Sequence, residues 1–147
     1  MKSLLILGAG GFGHMIKETA QALGYEEIVF LDDMVKEDDV IGMCCDYVIK
    51  HEDYPVAVAA FGNNKTRLFW TDKLLEEGYE VPAIVHPSAV VSPSVTLEPG
   101  CFIMQRSVVN TNTKIERAAL VNSGAVVDHN SVVCARSEER RVGKECR

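Results

Sequence analysis

An aliphatic residue falls at every sixth position along the second half of the chain: Val85, Val91, Leu97, Ile103, Val109, Ile115, Val121, Val127 and Val133. Two positions before each, from Val91 onward, stands a mostly small residue: Ala89, Val95, Cys101, Ser107, Thr113, Ala119, Ala125 and Ser131. A six-residue beat sustained this long is the pattern of a parallel β-helix, in which each hexad makes one flat side of a triangular coil. The aliphatic residue is expected inside the prism and the small one where the chain turns the corner. Pro93, Pro99, Gly100 and Gly124 fall in or beside those corners, where special backbone angles are needed. A solenoid leaves long open edges unless they are capped or paired, so packing of three prisms into a homotrimer is expected.

The beat meets Glu139 where the next aliphatic residue is due. An unpaired carboxylate is too costly inside an apolar prism, so the repeat is expected to break after Val133, short of three full coils. The closing "SEERRVGKECR" carries seven charged residues in eleven and no periodicity. It reads as foreign to the repeat, and the β-helix reads as incomplete at its C-terminal end.

The first half is written differently. "SLLIL", Ser3–Leu7, is a continuous apolar run bounded by glycine, as expected of a buried parallel strand. The lysine before it mimics a signal peptide, but the run breaks into glycines too early for one. "GAGGFG", Gly8–Gly13, fits G-x-G-x-x-G and leads into a helix with Met15, Ile16, Thr19, Ala20 and Leu23 on one face. "EIVFLDD" is a second strand, ending in Asp32 and Asp33. A third, Val56–Phe61, ends in Gly62-Asn63-Asn64, and a helix over 64–77 follows with Leu68, Phe69 and Leu75 apolar. This is a small Rossmann-like α/β unit, with glycines where a phosphate approaches backbone N–H groups at a helix N-terminus. Strand ends of a parallel sheet converge on one edge, so Gly10–Gly13, Asp32–Asp33 and Gly62–Lys65 are expected to line one crevice. "VPAIVH" is the expected last strand, which places the unit at 1–85, the β-helix at 86–135 and a charged tail at 136–147. The α/β unit has half the length of a full dinucleotide-binding domain, so a nucleotide-linked sugar or half a dinucleotide suits it better than NAD.

Composition narrows the partners. The net charge of −6 disfavours nucleic acid, and no apolar run approaches the roughly 20 residues of a membrane span. Five cysteines without C-x-x-C spacing argue against a disulfide framework and a zinc knuckle, and suit a reducing cytoplasm. Cys44, Cys45 and Met43 read as packing or loop residues. His14 opens a helix, His51 lies in a polar loop and His86 precedes a proline, none in a setting that suggests chemistry.

The order of these motifs, "GAGGFG", "FLDD" and "FGNNKTR" followed by "HPSAVVSPSV" and "VNSGAVVDHNSVV", resembles the bacterial sugar acetyltransferases of the PglD and NeuD type. The resemblance runs from Met1 to about Ala135. It implies an α/β unit that holds a UDP-sugar or related sugar, and a left-handed β-helix that binds acetyl-coenzyme A between subunits; no metal is implied. The activity implied is acetyl transfer to an amino or hydroxyl group of a sugar during surface-glycan synthesis. By position, His129 matches the catalytic histidine, which takes the proton of the attacking group. The family places an acidic residue directly after it. Here that residue is Asn130, which can hydrogen-bond the ring but brings no charge to an imidazolium, so a weaker base is expected. Asp128, directly before, is the alternative acidic partner, although neighbours in a strand point to opposite faces. Asn122 matches a polar residue lining the same cleft. On the sugar side the resemblance carries over Gly10, Gly11 and Phe12 in the first loop, Asp32 and Asp33 for uridine or ribose, and Gly62 and Lys65 in the second loop. In the family several more coils follow and carry most coenzyme A contacts, so a truncated and impaired acetyltransferase is the expectation. The alternatives are a nucleotide- or NAD-binding module with the β-helix as oligomerisation element, and a trimerisation protein without chemistry.

Overall fold

Ser3–Leu7 forms strand β1, and Leu4 through Leu7 are fully buried. A run this apolar needs neighbours on both edges and cover on both faces. Its edges pair in parallel with β2, Glu27–Leu31, and with β4, Ala57–Ala59. A short strand β3, Val40–Gly42, adds to the far side of β2 and completes the order β3-β2-β1-β4. The computed structural model describes residues 2–135 and the backbone of residues 138–139. The chain divides into two units, the first ending at Pro82 and the second beginning at Ala83.

Helix α1, Gly11–Ala22, buries Gly13, Ile16, Thr19 and Ala20, which is the face its spacing predicts, with Met15 and Leu23 only partly covered. After β3 come a 3-10 turn at Cys44–Asp46 and the one-turn helix α2, Tyr47–Lys50. Helix α3, Asn64–Glu76, departs from its expected face. It buries Arg67, Thr71 and Leu74, while Phe69 is about half exposed at 52%. The i, i+4, i+7 spacing sets the stripe, and polar side chains are admitted to it because they find partners. Thr71 Oγ1 donates to the Arg67 carbonyl at 2.7 Å, and Arg67 bonds the turn before the helix.

In the second unit every strand is two residues long and repeats at intervals of six. These are β5 at Ile84–Val85, β6 at Val90–Val91, β7 at Thr96–Leu97, β8 at Phe102–Ile103 and β9 at Val108–Val109. They continue as β10 at Lys114–Ile115, β11 at Leu120–Val121, β12 at Val126–Val127, β13 at Val132–Val133 and β14 at Glu138–Glu139. Each pairs in parallel with the strand three hexads away: Val85 with Ile103, Ile103 with Val121, Val91 with Val109, Val109 with Val127, and Leu97 with Ile115. Three ladders result, β5-β8-β11-β14, β6-β9-β12 and β7-β10-β13, the three sides of a left-handed parallel β-helix. Ile103, Val109, Ile115, Val121, Val127 and Val133 fill the prism together with Cys101, Ala119 and Ala125 from the small positions.

The corners follow the same beat. Gly100, Arg106, Asn112, Ala118, Gly124 and Asn130 all have φ between +57° and +74°. In the corner turns at 98–101, 104–107, 116–119 and 122–125 this residue is third, and the fourth donates its N–H back to the first carbonyl. Positive φ at that place marks a type II turn.

Two boundaries differ from expectation. Ile84–Val85 belongs to the first β-helical coil, paired with Phe102–Ile103, and not to the α/β sheet. The backbone beat also continues past Val133, because Glu138 and Glu139 pair with Leu120 and Val121 in the same ladder. The remaining residues of the charged tail lie outside the described residues. Cys44, Cys45 and Cys101 are free thiols.

Candidate functional site

The α/β unit brings its three loops to one sheet edge, since Leu7 of β1 pairs with Leu31 of β2 and with Ala59 of β4. The first loop is tightly built. Gly8 has φ +101°, and a Cβ on Gly13 would stand 1.9 Å from the Gly8 carbonyl oxygen. Gly10 and Gly11 are different: a Cβ on either meets nothing within 4 Å. Their side of the loop is open. Gly10 is the N-cap of α1 and offers no side-chain acceptor, so the helix begins without a side-chain cap. Phe12 follows on the first turn, half-buried.

Asp32 stands just past β2 and grips backbone on both sides. Its Oδ2 accepts the Ala9 N–H at 2.7 Å, and its Oδ1 accepts those of Met34 and Val35, each at 2.8 Å. Burial pushes this carboxyl upward, but the three N–H donors and the charge of Lys36 outweigh it, and the group ionises below its ordinary range. Asp32 therefore ties the first glycine loop to the loop after β2. Asp33 is exposed, and its Oδ1 accepts the Cys44 N–H at 2.9 Å. Burial and the neighbouring carboxylates of Asp33 and Asp32 push the Cys44 thiol up to about 12, so it is an inert packing group.

Gly62 and Lys65 are exposed in the turn from β4 into α3, and Asn63 caps that helix by accepting the Thr66 N–H at 2.9 Å. Arg67, which residue patterns alone did not single out, is 0% exposed. It donates to the carbonyls of Phe61 at 3.0 Å and Gly62 at 3.3 Å and to Asn64 Oδ1 at 2.9 Å. Its signal was its place in "FGNNKTR", four residues after the helix cap and four before the buried Thr71.

In the β-helix, Asp128, His129 and Asn130 turn the corner after β12, and all three are exposed. His129 occupies the place held by Pro93 and Pro99 at earlier corners, so its ring stands off the prism. Its Nδ1 lies 2.9 Å from Asn130 Oδ1. An amide oxygen only accepts, so this contact needs the hydrogen on Nδ1, and in the neutral ring with that tautomer the lone pair is on Nε2. Asn130 has φ +59°, and its N–H donates to the Thr111 carbonyl at 2.9 Å, which ties the corner to the coil below. The side chain that orients the ring is thus Asn130, and Asp128 contributes its carbonyl to Thr113 Oγ1 at 2.9 Å. Asn122 sits one hexad earlier, at a different corner of the prism, half-buried, with Oδ1 on the Ser123 N–H at 3.0 Å. The residue one coil below His129 is Thr111. Among the described residues no group of three or more His, Cys, Asp or Glu is placed to hold a metal, and no helix is long and apolar enough to cross a membrane.

Comparison with known proteins accounts for this combination. The family profile described as the PglD N-terminal domain matches residues 3–74. The acetyltransferase domain of PglB from Neisseria gonorrhoeae, solved with acetyl coenzyme A, is 34% identical with a TM-score of 0.89, over 93% of this chain and 69% of that one. PerB from Caulobacter crescentus, solved with CoA and GDP-perosamine, is 31% identical with a TM-score of 0.85, over 94% and 68%. A histidine-to-alanine mutant of GDP-perosamine N-acetyl transferase from the same organism is 28% identical with a TM-score of 0.88, over 94% and 68%. The chain belongs to the PglD/NeuD-type sugar acetyltransferases.

Proposed function

We propose that this protein transfers the acetyl group of acetyl-coenzyme A to the amino or hydroxyl group of a nucleotide-linked sugar, with His129 as general base. The observation that carries the reading is the imidazole on an exposed β-helical corner, its Nδ1–H held by Asn130 and its Nε2 free. As the sugar's nucleophile attacks the thioester carbonyl, Nε2 takes its proton, the C–S bond breaks, and the coenzyme leaves as the thiolate. Asn130 holds the ring in the required tautomer without adding charge. The α/β unit holds the nucleotide sugar: the open side of Gly10–Gly11, the start of α1 and the second turn at Gly62–Lys65 suit phosphate oxygens, and the exposed carboxylate of Asp33 suits a ribose hydroxyl. The relatives solved with acetyl coenzyme A, or with CoA and GDP-perosamine, support the coenzyme and a nucleotide sugar as the two substrates. On this reading the protein serves surface-glycan synthesis in the cytoplasm, as a homotrimer, with a UDP-sugar as the first substrate to test.

Thiol release from acetyl-coenzyme A, measured across UDP- and GDP-linked amino sugars and free sialic acids, tests the proposal. Turnover with one sugar class, lowered about 10²–10⁴-fold in His129→Ala while nucleotide binding persists, is the expected result. Tight NAD binding with no turnover on any sugar would sink the reading and favour a dinucleotide-binding module.

A further inference from the structure

The structure assigns Arg67 a role as the positioning residue of the nucleotide-binding turn between β4 and α3, an inference that rests on the proposed binding of a nucleotide sugar by the α/β unit. A guanidinium is costly to bury unless its donors are matched, and this one is fully buried. Its Nη1 reaches two successive main-chain carbonyls, those of Phe61 and Gly62, and its Nη2 reaches Asn64 Oδ1. Its backbone N–H closes the first turn of α3 on the Asn63 carbonyl at 2.9 Å. One side chain thus clamps the turn on both sides of the helix cap.

Peptide planarity converts this clamp into a recognition geometry. In a trans peptide the N–H points opposite to the carbonyl of the same plane. Fixing the Phe61 carbonyl therefore fixes the Gly62 N–H, and fixing the Gly62 carbonyl fixes the Asn63 N–H, both directed away from the guanidinium. Among the described residues neither N–H donates to a protein acceptor, and Gly62 and Asn63 are exposed. A Cβ on Gly62 would meet nothing within 4 Å, so the turn is open to a ligand. Two adjacent, outward-facing N–H groups form a pair of donors for one anionic oxygen cluster, and the ligand chemistry they fit is the diphosphate of a nucleoside diphosphate.

The test compares wild type, Arg67→Lys and Asn64→Ala, the last removing one acceptor of the clamp while leaving the arginine in place. Backbone ¹⁵N relaxation without ligand should give rigid Gly62 and Asn63 amides in wild type, with order parameters of about 0.85, falling toward 0.6 in Arg67→Lys. Titration with UDP and GDP should show affinity lowered tenfold or more in Arg67→Lys and by less in Asn64→Ala, with both variants folded by circular dichroism. Unchanged order parameters, or unchanged affinity in folded Arg67→Lys, overturns the assignment. If wild type binds neither UDP nor GDP, the nucleotide reading falls, and the relaxation result alone then decides whether Arg67 holds the turn.

Discussion

Glycines in the first loop have two separate jobs, and alanine substitution should divide them. A Cβ at Gly13 would lie 1.9 Å from the Gly8 carbonyl oxygen, 2.9 Å from its carbon and 3.4 Å from Phe30 Cε1. The first contact must lengthen by about 1 Å or more before it reaches the closest approach that a Cβ tolerates, near 3.0 Å. Neither partner is a flexible side-chain tip. Gly8 donates its N–H to Leu31 at 2.9 Å, Ala9 is tied to Asp32 at 2.7 Å, and His14 closes the helix on Gly10 at 3.0 Å. Overpacking that side chains can absorb costs about 1–3 kcal/mol, so a clash with pinned backbone falls at about 3 kcal/mol or above. The better helix propensity of alanine returns about 1 kcal/mol, which leaves a net loss of at least about 2 kcal/mol. For a unit of this size that lowers the melting temperature by about 8–16 °C. Gly11→Ala, with open space around it, should melt within a few degrees of wild type yet bind UDP or GDP more weakly, because the new methyl obstructs the loop's open side. Thermal circular dichroism and nucleotide titration on both variants settle the matter. A Gly13→Ala protein that melts within 2 °C of wild type would show that the close approach of α1 to β1 is not the constraint argued here.

Three further outcomes follow from particular residues. Asn130→Asp replaces the neutral acceptor on His129 Nδ1 with a charged one; charge-assisted bonds are about twice as strong, and kcat of acetyl transfer should rise about tenfold, a gain of about 1.4 kcal/mol in transition-state stabilisation. Asp32→Asn removes a carboxylate whose folded form ionises below its unfolded range, so its contribution to stability is present above about pH 4 and lost as the pH falls through the folded value. The gap in urea midpoint between wild type and Asp32→Asn should therefore be full at pH 7 and close on acidification below about pH 4; a constant gap would count against the ionic clasp. Arg106→Gly relieves a side chain held at φ +58° on an exposed corner, and should stabilise the β-helix by about 0.5–1 kcal/mol in urea unfolding. Asn112→Gly should gain less, because asparagine tolerates that conformation.

How much of this was legible beforehand depends on how local the cause is. The positions of the β-helical strands, the aliphatic prism and the small corner residues were readable because they follow one geometric period, which any chain must meet to close a three-sided coil. The βαβ start was readable from an apolar run, glycines and an amphipathic stretch that act within about twenty residues. The partners of the charged side chains were not. Asp32 and Asp33 looked like two ligand groups, yet the fold commits Asp32 to the backbone of a loop 23 residues away and gives Asp33 to Cys44. Arg67 looked like one polar residue in a helix whose apolar side was expected at Leu68, Phe69 and Leu75. Its buried place on α3 is matched by the hydrogen bonds that it donates to the turn carbonyls.

Taken alone, the sequence determined the two-part architecture and the beat of the second part, because periodicity and turn chemistry are short-range. Only the tertiary structure decided which corners take positive φ without glycine, which side chain orients His129, and which charges serve the backbone. Each of these depends on a hydrogen-bond partner that the chain meets only when the next coil or the next strand folds beside it.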